Sequence, residues 1–267
     1  MAMLLGAAAL LLYLALLALL FFNQARILYP AWSRGVGVVT YDTARFRRVE
    51  TVTEDGLAGR LLYARPARGK PVILFLHGNG DSAGGGAQAV LPYVSAGYGA
   101  VVPEYRGYDG LPGRPSEQGL YRDARAARRW MAANGVGPER TIVMGYSLGT
   151  GVAAQMALEE SPRALVLLAP FASIAIAARM HFAWLPARWL VTERFATIHK
   201  IKRVSCPVLL VHGEADATIP VANSRLLARA RPDAQLVVLP GIGHEIAWTL
   251  AAQRVVADGL AARSKES

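Results

Sequence analysis

Residues 141–160 read TIVMGYSLGTGVAAQMALEE, and this stretch decides the fold. Its first part is a short apolar run that predicts a buried strand, and its alanine-rich second part predicts a helix. Between them Gly145-Tyr146-Ser147-Leu148-Gly149 matches G-x-S-x-G. A serine that ends a strand and directly precedes a helix stands in a sharp turn, with its hydroxyl exposed at the tip of the strand. We therefore predict that Ser147 is a nucleophile and not an ordinary capping serine.

The rest of the chain repeats this alternation of apolar runs and helical stretches. Strands are predicted at 71–78, 98–105, 141–147, 164–170, 207–213 and 235–241, with an earlier antiparallel pair inside 47–66. Helices are predicted at 118–135, 149–160 and 221–232. Such an order is typical of βαβ units, so we expect an α/β fold with a mostly parallel central sheet and helices on both faces.

A nucleophilic serine needs a base, and the base needs a third group that orients it. Glu214 and Asp216 follow one predicted strand, and His244 follows the next. These positions lie just past strand ends, where doubly wound folds place their sites. We predict His244 as the base, since His77 and His212 fall inside strand-to-loop turns. We predict Asp216 as the acid, because the alternative acid follows its strand too closely to swing across.

The loop after the first buried strand supports two interpretations. Backbone N–H groups of Asn79 and Leu148 would stabilise the negative oxygen of a tetrahedral intermediate. Alternatively, residues 78–83 imitate a dinucleotide fingerprint, with Glu104 as its ribose-binding acid. The alternative leaves the serine, aspartate and histidine unexplained, and the glycine run 84–86 would weaken the helix that it requires.

The N-terminal residues 4–22 form the uncharged run LLGAAALLLYLALLALLFF. At a rise of about 1.5 Å per residue, this run can cross a hydrocarbon core of roughly 30 Å. A secretory signal would have a basic start, a shorter apolar stretch and a small-x-small cleavage site. We predict a transmembrane anchor over residues 1–30 and a catalytic domain over 31–267. Arginines after the run, from Arg26 onwards, place that domain on the cytoplasmic side by the positive-inside rule.

Charge and cysteine content exclude other classes of protein. The net charge of +10 comes mainly from scattered arginines, whereas nucleic-acid binding would call for a clustered stripe, so we expect no nucleic-acid partner. Attraction to anionic lipid is a second interpretation of that charge. The single cysteine, Cys206, cannot form an intramolecular disulfide and is expected to be a small buried residue. We predict neither a metal nor a cofactor.

Four motifs carry a family resemblance: LHGNG at 76–80, EYRGYDG at 104–110, SEQGLYRDARA at 116–126 and GYSLGTG at 145–151. Together they resemble the α/β-hydrolase superfamily and, within it, the bud-emergence-type (Bem-like) membrane serine hydrolases. The resemblance covers about residues 47–260. It implies Ser147 as the nucleophile, Asp216 and His244 as the rest of the triad, and Asn79 with Leu148 as the oxyanion hole. Some relatives act on acyl esters or protein thioesters.

Residues 171–206 form an insertion that we predict to be a lid over the substrate. Its large apolar side chains include Met180, Phe182, Trp184 and Trp189. They would roof the pocket or, alternatively, also touch lipid, because indole rings favour the membrane interface. We therefore predict a membrane serine hydrolase that cleaves the carboxylic ester or thioester of an apolar acyl group. Its substrate would be a small or lipid-like molecule, or an acylated protein. The alternatives are a serine peptidase or amidase and a catalytically silent membrane scaffold.

Overall fold

A central sheet organises the molecule. The computed structural model describes residues 1–35 and 39–263, so residues 36–38 and 264–267 of the predicted domain lie outside the description. Within the described residues, eight strands form one sheet in the order β1-β2-β4-β3-β5-β6-β7-β8. They are β1 (Arg47–Val52), β2 (Ala58–Ala64), β3 (Val72–Leu76), β4 (Gly99–Pro103), β5 (Thr141–Tyr146), β6 (Ala164–Leu168), β7 (Val208–Gly213) and β8 (Gln235–Leu239). From β4 to β8 all neighbours are parallel, and β2 is antiparallel to both of its neighbours. The predicted mostly parallel sheet is confirmed.

The central strands are apolar throughout because both faces of the sheet are covered. Every residue of β3 and β5 is buried. Along β3, Leu74 and Leu76 pack into the core on one face, and Ile73 and Phe75 pack into the core on the other. Alternating side chains of a strand point to opposite faces, so the unbroken apolar run supplies both cores.

Ten α-helices and two short 3₁₀ turns occur in the described residues. The helices are α1 (Ala2–Leu28), α2 (Pro30–Arg34), α3 (Ala83–Ser95), α4 (Glu117–Ala133), α5 (Leu148–Glu159), α6 (Ile174–His181), α7 (Ala187–Leu190), α8 (Thr197–Lys200), α9 (Ala222–Ala230) and α10 (Leu250–Arg263); the 3₁₀ turns are Pro138–Arg140 and Ile246–Trp248. Residues of α3 and α10 belong to one core, and residues of α4, α5 and α9 belong to the other. Helices therefore cover both faces, as the sequence predicts.

Helix α3 contains the glycine run 84–86, which is expected to weaken a helix because glycine has a low helix propensity. The side chain of Ser82 caps its first turn by accepting from the N–H of Gly85 at 3.4 Å. A Cβ on Gly84 would lie 2.4 Å from the carbonyl oxygen of Val39, and a Cβ on Gly86 would lie 2.8 Å from Val102. The run is needed for close packing, which stabilises the helix in spite of the low helix propensity of glycine.

The apolar N-terminal helix α1 is 27 residues long, which corresponds to about 40 Å. Its length and composition are sufficient to cross a membrane, and its most apolar window is not buried against the domain. The next residue, Tyr29, is fully buried, and its hydroxyl donates to Glu193 at 3.0 Å. The end of the helix is therefore fixed directly on the domain. Helices α6, α7 and α8 lie within the predicted lid, between β6 and β7.

Candidate active site

The turn between β5 and α5 holds Ser147 in a strained conformation, with φ at +51°. The two glycines of the pentapeptide make this turn sterically feasible. A Cβ on Gly145 would lie 2.5 Å from the carbonyl oxygen of Gly149, and a Cβ on Gly149 would lie 1.9 Å from that of Leu76. Backbone strain of this kind persists where the surrounding structure enforces it, and it is frequent at functional sites. The turn therefore presents the hydroxyl at the carboxyl edge of the sheet.

Three predicted side chains meet at this edge. His244 lies between the other two, with Nδ1 2.8 Å from Asp216 Oδ2 and Nε2 3.0 Å from Ser147 Oγ. A carboxylate only accepts hydrogen bonds, so Nδ1 carries the proton. Nε2 then has a free lone pair directed at the serine hydroxyl. In this arrangement the imidazole can take the serine proton as it is transferred.

Asp216 is buried and is held by donors on both of its oxygens. Oδ1 accepts from the N–H groups of Thr218 at 2.9 Å and Ile219 at 2.8 Å. Burial opposes the charged form, but the hydrogen bonds from His212, His244 and the backbone outweigh it and hold the pKa of this carboxyl well below its usual range. The acid is therefore ionised at neutral pH. The alternative acid, Glu214, is exposed to solvent.

His212 is a second histidine that contacts Asp216, although its sequence context suggested only an ordinary turn residue. It is fully buried, and its Nε2 lies 3.3 Å from Asp216 Oδ2 and 2.8 Å from the carbonyl oxygen of Ile219. Both neighbours only accept, so Nε2 carries a proton. Nδ1 lies 2.6 Å from the hydroxyl of Ser224. His212 thus contacts Oδ2 of Asp216, the same carboxylate oxygen that faces His244. The four-residue spacing between His212 and Asp216 was the available signal, but it acquires meaning only once the loop is folded.

Both predicted oxyanion residues adjoin the serine, one in the chain and one across the cavity. Leu148 is the first residue of α5, and Asn79 lies in the wall of the cavity that contains Ser147. The backbone oxygen of Asn79 accepts from the hydroxyl of Tyr108 at 3.1 Å, and its side-chain amide donates to the carbonyl oxygen of Leu28 at 2.9 Å. The loop is therefore held from both the domain and the end of α1.

The acid of the alternative dinucleotide motif is already engaged. Glu104 is buried, its Oε2 accepts from the N–H of Ala83 at 2.9 Å, and its Oε1 lies 3.1 Å from His77 Nε2. Burial disfavours the charged imidazole, but Glu104 outweighs that effect and raises the pKa of His77. The pair fixes the start of α3 from inside the protein. A buried, engaged carboxylate cannot bind a ribose, so this interpretation loses its key residue.

Two cavities adjoin the predicted site. The first contains Ser147 and His244, has a volume of about 320 Å³, and is lined mainly by loop residues that include Asp81 and Glu245. The second has a volume of about 380 Å³ and lies between α1 and the lid, and Asn79 lines both. A larger hollow of about 880 Å³ borders β1 and β2, and its described lining includes none of the predicted site residues.

The four predicted lid residues differ in position. Phe182 and Trp184 line the second cavity. Met180 lies outside its lining, and its sulfur accepts from Asn223 Nδ2 at 3.1 Å. Trp189 is also outside the lining, with 79% of its surface exposed. The sequence identified the segment, but the helical turns of the lid decide which side chains face inward.

Comparisons with known proteins agree with this architecture. The family model described as alpha/beta hydrolase fold matches residues 71–198, and a second, described as TAP-like protein, matches residues 176–261. An uncharacterized protein from Mycobacterium tuberculosis is 36% identical over 226 residues, which cover 83% of this chain and 80% of that protein. A lysophosphatidylserine lipase from Danio rerio is 36% identical over 170 residues, which cover 56% of this chain and 44% of the lipase. The matched region is thus less than half of the lipase.

Solved structures show the same fold. An alpha-beta hydrolase from Vibrio vulnificus has a TM-score of 0.74 at 24% identity, covering 90% of this chain and 92% of that one. An esterase from Pyrococcus furiosus has a TM-score of 0.67 at 16% identity, covering 86% and 96%. The finer resemblance to the bud-emergence-type group stays a prediction. The family models, the relative that matches over most of its length and the shared fold establish that this chain belongs to the α/β-hydrolase superfamily.

Proposed function

We propose that the protein is a serine hydrolase that cleaves the ester or thioester of an apolar acyl group through an acyl-enzyme on Ser147. The observation that carries this proposal is the position of His244, which is within hydrogen-bond distance of Asp216 on one side and of Ser147 on the other. A serine hydroxyl becomes an effective nucleophile in this arrangement.

In the proposed first step, Ser147 Oγ attacks the carbonyl carbon of the substrate while His244 Nε2 takes the serine proton. The carbonyl oxygen becomes negative, and the N–H groups of Leu148 and Asn79 stabilise it. Collapse of this intermediate breaks the ester or thioester bond, and His244 gives its proton to the departing alcohol or thiol. Water then attacks the acyl-enzyme with the same histidine as base, the bond between the acyl carbon and Ser147 Oγ breaks, the histidine returns the proton to Oγ, and the acid leaves. Asp216 remains ionised throughout and stabilises the imidazolium.

We propose a single-chain lipid ester as the substrate and the membrane as its source. The apolar cavity between α1 and the lid supports this choice, as does the similarity to the lysophosphatidylserine lipase of Danio rerio. Helix α1 would anchor the protein, since it is long and apolar enough to span a bilayer. The cytoplasmic orientation from the charge rule stays a prediction.

The direct test is labelling of the full-length, detergent-solubilised protein by a fluorophosphonate probe. We expect labelling of the wild type, loss of labelling in Ser147→Ala, and wild-type labelling in Ser205→Ala, which replaces an exposed serine. Folded wild-type protein that does not react would refute the proposal and favour the silent scaffold. Matched palmitoyl ester, thioester and amide substrates then separate the reactions, and preferred cleavage of the amide would favour the peptidase alternative.

A further inference from the structure

We infer that the membrane anchor is itself part of the acyl-chain site. The cavity between α1 and the lid would hold the single acyl chain of a lipid ester, which enters it from the adjoining membrane leaflet. This inference rests on the proposed function and adds a substrate-binding role for α1.

The cavity has one wall from the anchor and one from the lid. Leu16, Leu20 and Ile27 belong to the anchor wall, and Phe182, Trp184 and Leu185 belong to the lid wall. The anchor residues recur at helical spacing and therefore lie along one side of α1. Removal of the anchor would open the cavity along its length.

Two polar contacts fix the anchor against the lid, one at Gln24 within the lining and one at Tyr13 beyond its N-terminal end. Gln24 Oε1 accepts from the N–H of Thr192 at 3.0 Å and from its hydroxyl at 2.9 Å. Nearer the N-terminus, the hydroxyl of Tyr13 donates to the carbonyl oxygen of Trp184 at 3.3 Å, and the two rings stack edge to face. The side-chain oxygen of Gln24, a polar residue of the lining, is thus occupied by the lid. An apolar ligand can therefore contact this wall without leaving that oxygen short of a hydrogen bond.

The volume of the cavity indicates one acyl chain. A water molecule occupies about 30 Å³ of liquid, and a methylene group is of similar size. A cavity of about 380 Å³ therefore has room for about twelve methylenes, which is most of one long acyl chain. Two such chains would need about twice that volume, so the cavity matches a single chain.

The two cavities are arranged to receive an amphiphile. Asn79 lines both of them, so an ester carbonyl beside this residue and Ser147 would direct its acyl chain towards α1. The leaving group would then occupy the first cavity, which contains Asp81, Gln88 and Glu245. The bond from Asn79 Nδ2 to the carbonyl oxygen of Leu28, the last residue of α1, joins the two parts of the site. A carbonyl group beside the serine and a chain along the anchor are thus compatible in one pose.

The route from the leaflet follows from the position of the anchor wall. Leu16 and Leu20 belong to the uncharged run 4–22, which is the part of α1 that would cross the hydrocarbon core. Phe182 and Trp184 line the cavity yet remain about half exposed, so its lid wall also reaches the surface. An acyl chain could pass from lipid into the cavity without crossing water.

The test compares two substitutions on neighbouring residues of the anchor. Leu20→Trp fills the cavity from the anchor side, whereas Leu19→Trp adds the same indole at a position that is 61% exposed and outside the lining. Full-length variants are reconstituted in phosphatidylcholine vesicles, and kcat/KM is measured for palmitoyl and butyryl p-nitrophenyl esters. We expect the ratio of palmitoyl to butyryl kcat/KM to fall at least tenfold in Leu20→Trp and to keep its wild-type value in Leu19→Trp. Equal ratios in the two variants, or release of fatty acid from the diacyl lipid of the vesicle, would overturn the inference.

A binding measurement separates this inference from the proposed function. Ser147→Ala protein in the same vesicles is irradiated with a diazirine-bearing palmitic acid, and the modified peptides are mapped by mass spectrometry. We expect adducts on the 13–28 segment of α1 and on 182–191 of the lid, competed by palmitic acid and at least tenfold fewer when Leu20→Trp is added. Adducts that are unaffected by that change would refute the acyl site even if the protein hydrolyses esters. Their loss would support it even if the wild type does not react with fluorophosphonate.

Discussion

Replacing Asp216 by asparagine would test the proposed mechanism most sharply, because every neighbour of this carboxylate in the site donates a hydrogen bond. Oδ2 faces His244, and Oδ1 accepts from the N–H groups of Thr218 and Ile219. Asparagine has one oxygen and one amide nitrogen, so its NH₂ group must face a donor. If its oxygen keeps the two backbone bonds, the NH₂ faces His244 Nδ1. The imidazole then carries its proton on Nε2 and cannot accept from Ser147.

The size of the effect follows from this exchange of tautomers. In serine proteases with the same three groups, the corresponding substitution lowers kcat by about 10⁴-fold while the geometry is retained. We expect a similar loss here, equivalent to about 5.5 kcal/mol of transition-state stabilisation. The control is Glu214→Gln, which removes an exposed carboxylate two residues away and should leave kcat within about twofold of the wild type.

The assay is hydrolysis of p-nitrophenyl butyrate by both variants, with thermal melting as the control for folding. A folded Asp216→Asn protein that keeps more than a tenth of the wild-type kcat would refute the assignment of this residue as the orienting acid. The difference in Tm between the wild type and Asp216→Asn should also depend on pH. Because the folded pKa of Asp216 is lowered, its stabilising effect is complete above the ordinary carboxyl pKa of about 3.9 and is lost as the pH falls through the folded value. The difference in Tm between the wild type and Asp216→Asn should therefore shrink in acid.

Three further predictions concern stability. Gly149→Ala should prevent folding, because its Cβ would lie 1.9 Å from the carbonyl oxygen of Leu76 and the resulting strain should exceed the cost of ordinary overpacking, which is about 1–3 kcal/mol. Gly80→Ala has open space around its Cβ and should change Tm little, and a normal thermal melt for Gly149→Ala would contradict the prediction. Burial raises the pKa of Asp81 above its ordinary value, so ionisation of this carboxyl lowers the stability of the folded protein as the pH rises through its folded pKa. Asp81→Asn should accordingly raise Tm at pH 8 more than at pH 4, and an equal gain would count against it. His212→Phe leaves the buried carbonyl of Ile219 and the buried hydroxyl of Ser224 without their imidazole partner, which should lower the free energy of unfolding by about 2 kcal/mol or more. An unchanged midpoint in urea denaturation would show that the pocket re-forms.

Patterns within short segments of the sequence were sufficient to predict the buried strands, the serine turn and the apolar N-terminal helix. Buried parallel strands are short and apolar over their whole length, so their positions could be predicted from the chain. Gly145 and Gly149 marked Ser147 as the candidate nucleophile, because a Cβ at either glycine would collide with backbone. The long uncharged run at the N-terminus was equally plain, since spanning a bilayer sets a minimum length.

Other features depended on contacts between distant parts of the chain. Glycine propensity argued against a helix at residues 84–86, yet the tight approach of Val39 and Val102 makes those glycines necessary there. His212 was indistinguishable from any histidine in a turn until folding placed it beside Asp216. Which lid side chains face inward depends on how α6 and α7 are turned, and residue type alone does not determine that orientation.

The sequence by itself determined the strands of the sheet, the three candidate catalytic residues and the apolar helix, because each follows from periodicity, spacing or sterics within a short segment. Only the tertiary structure decided that α1 packs beside the lid and that a cavity of about 380 Å³ lies between them. The physical reason is that a helix that is apolar on every side has no preferred face in its own sequence. Contacts made by Tyr13, Gln24 and Leu28 with residues far along the chain select the face that lines the cavity.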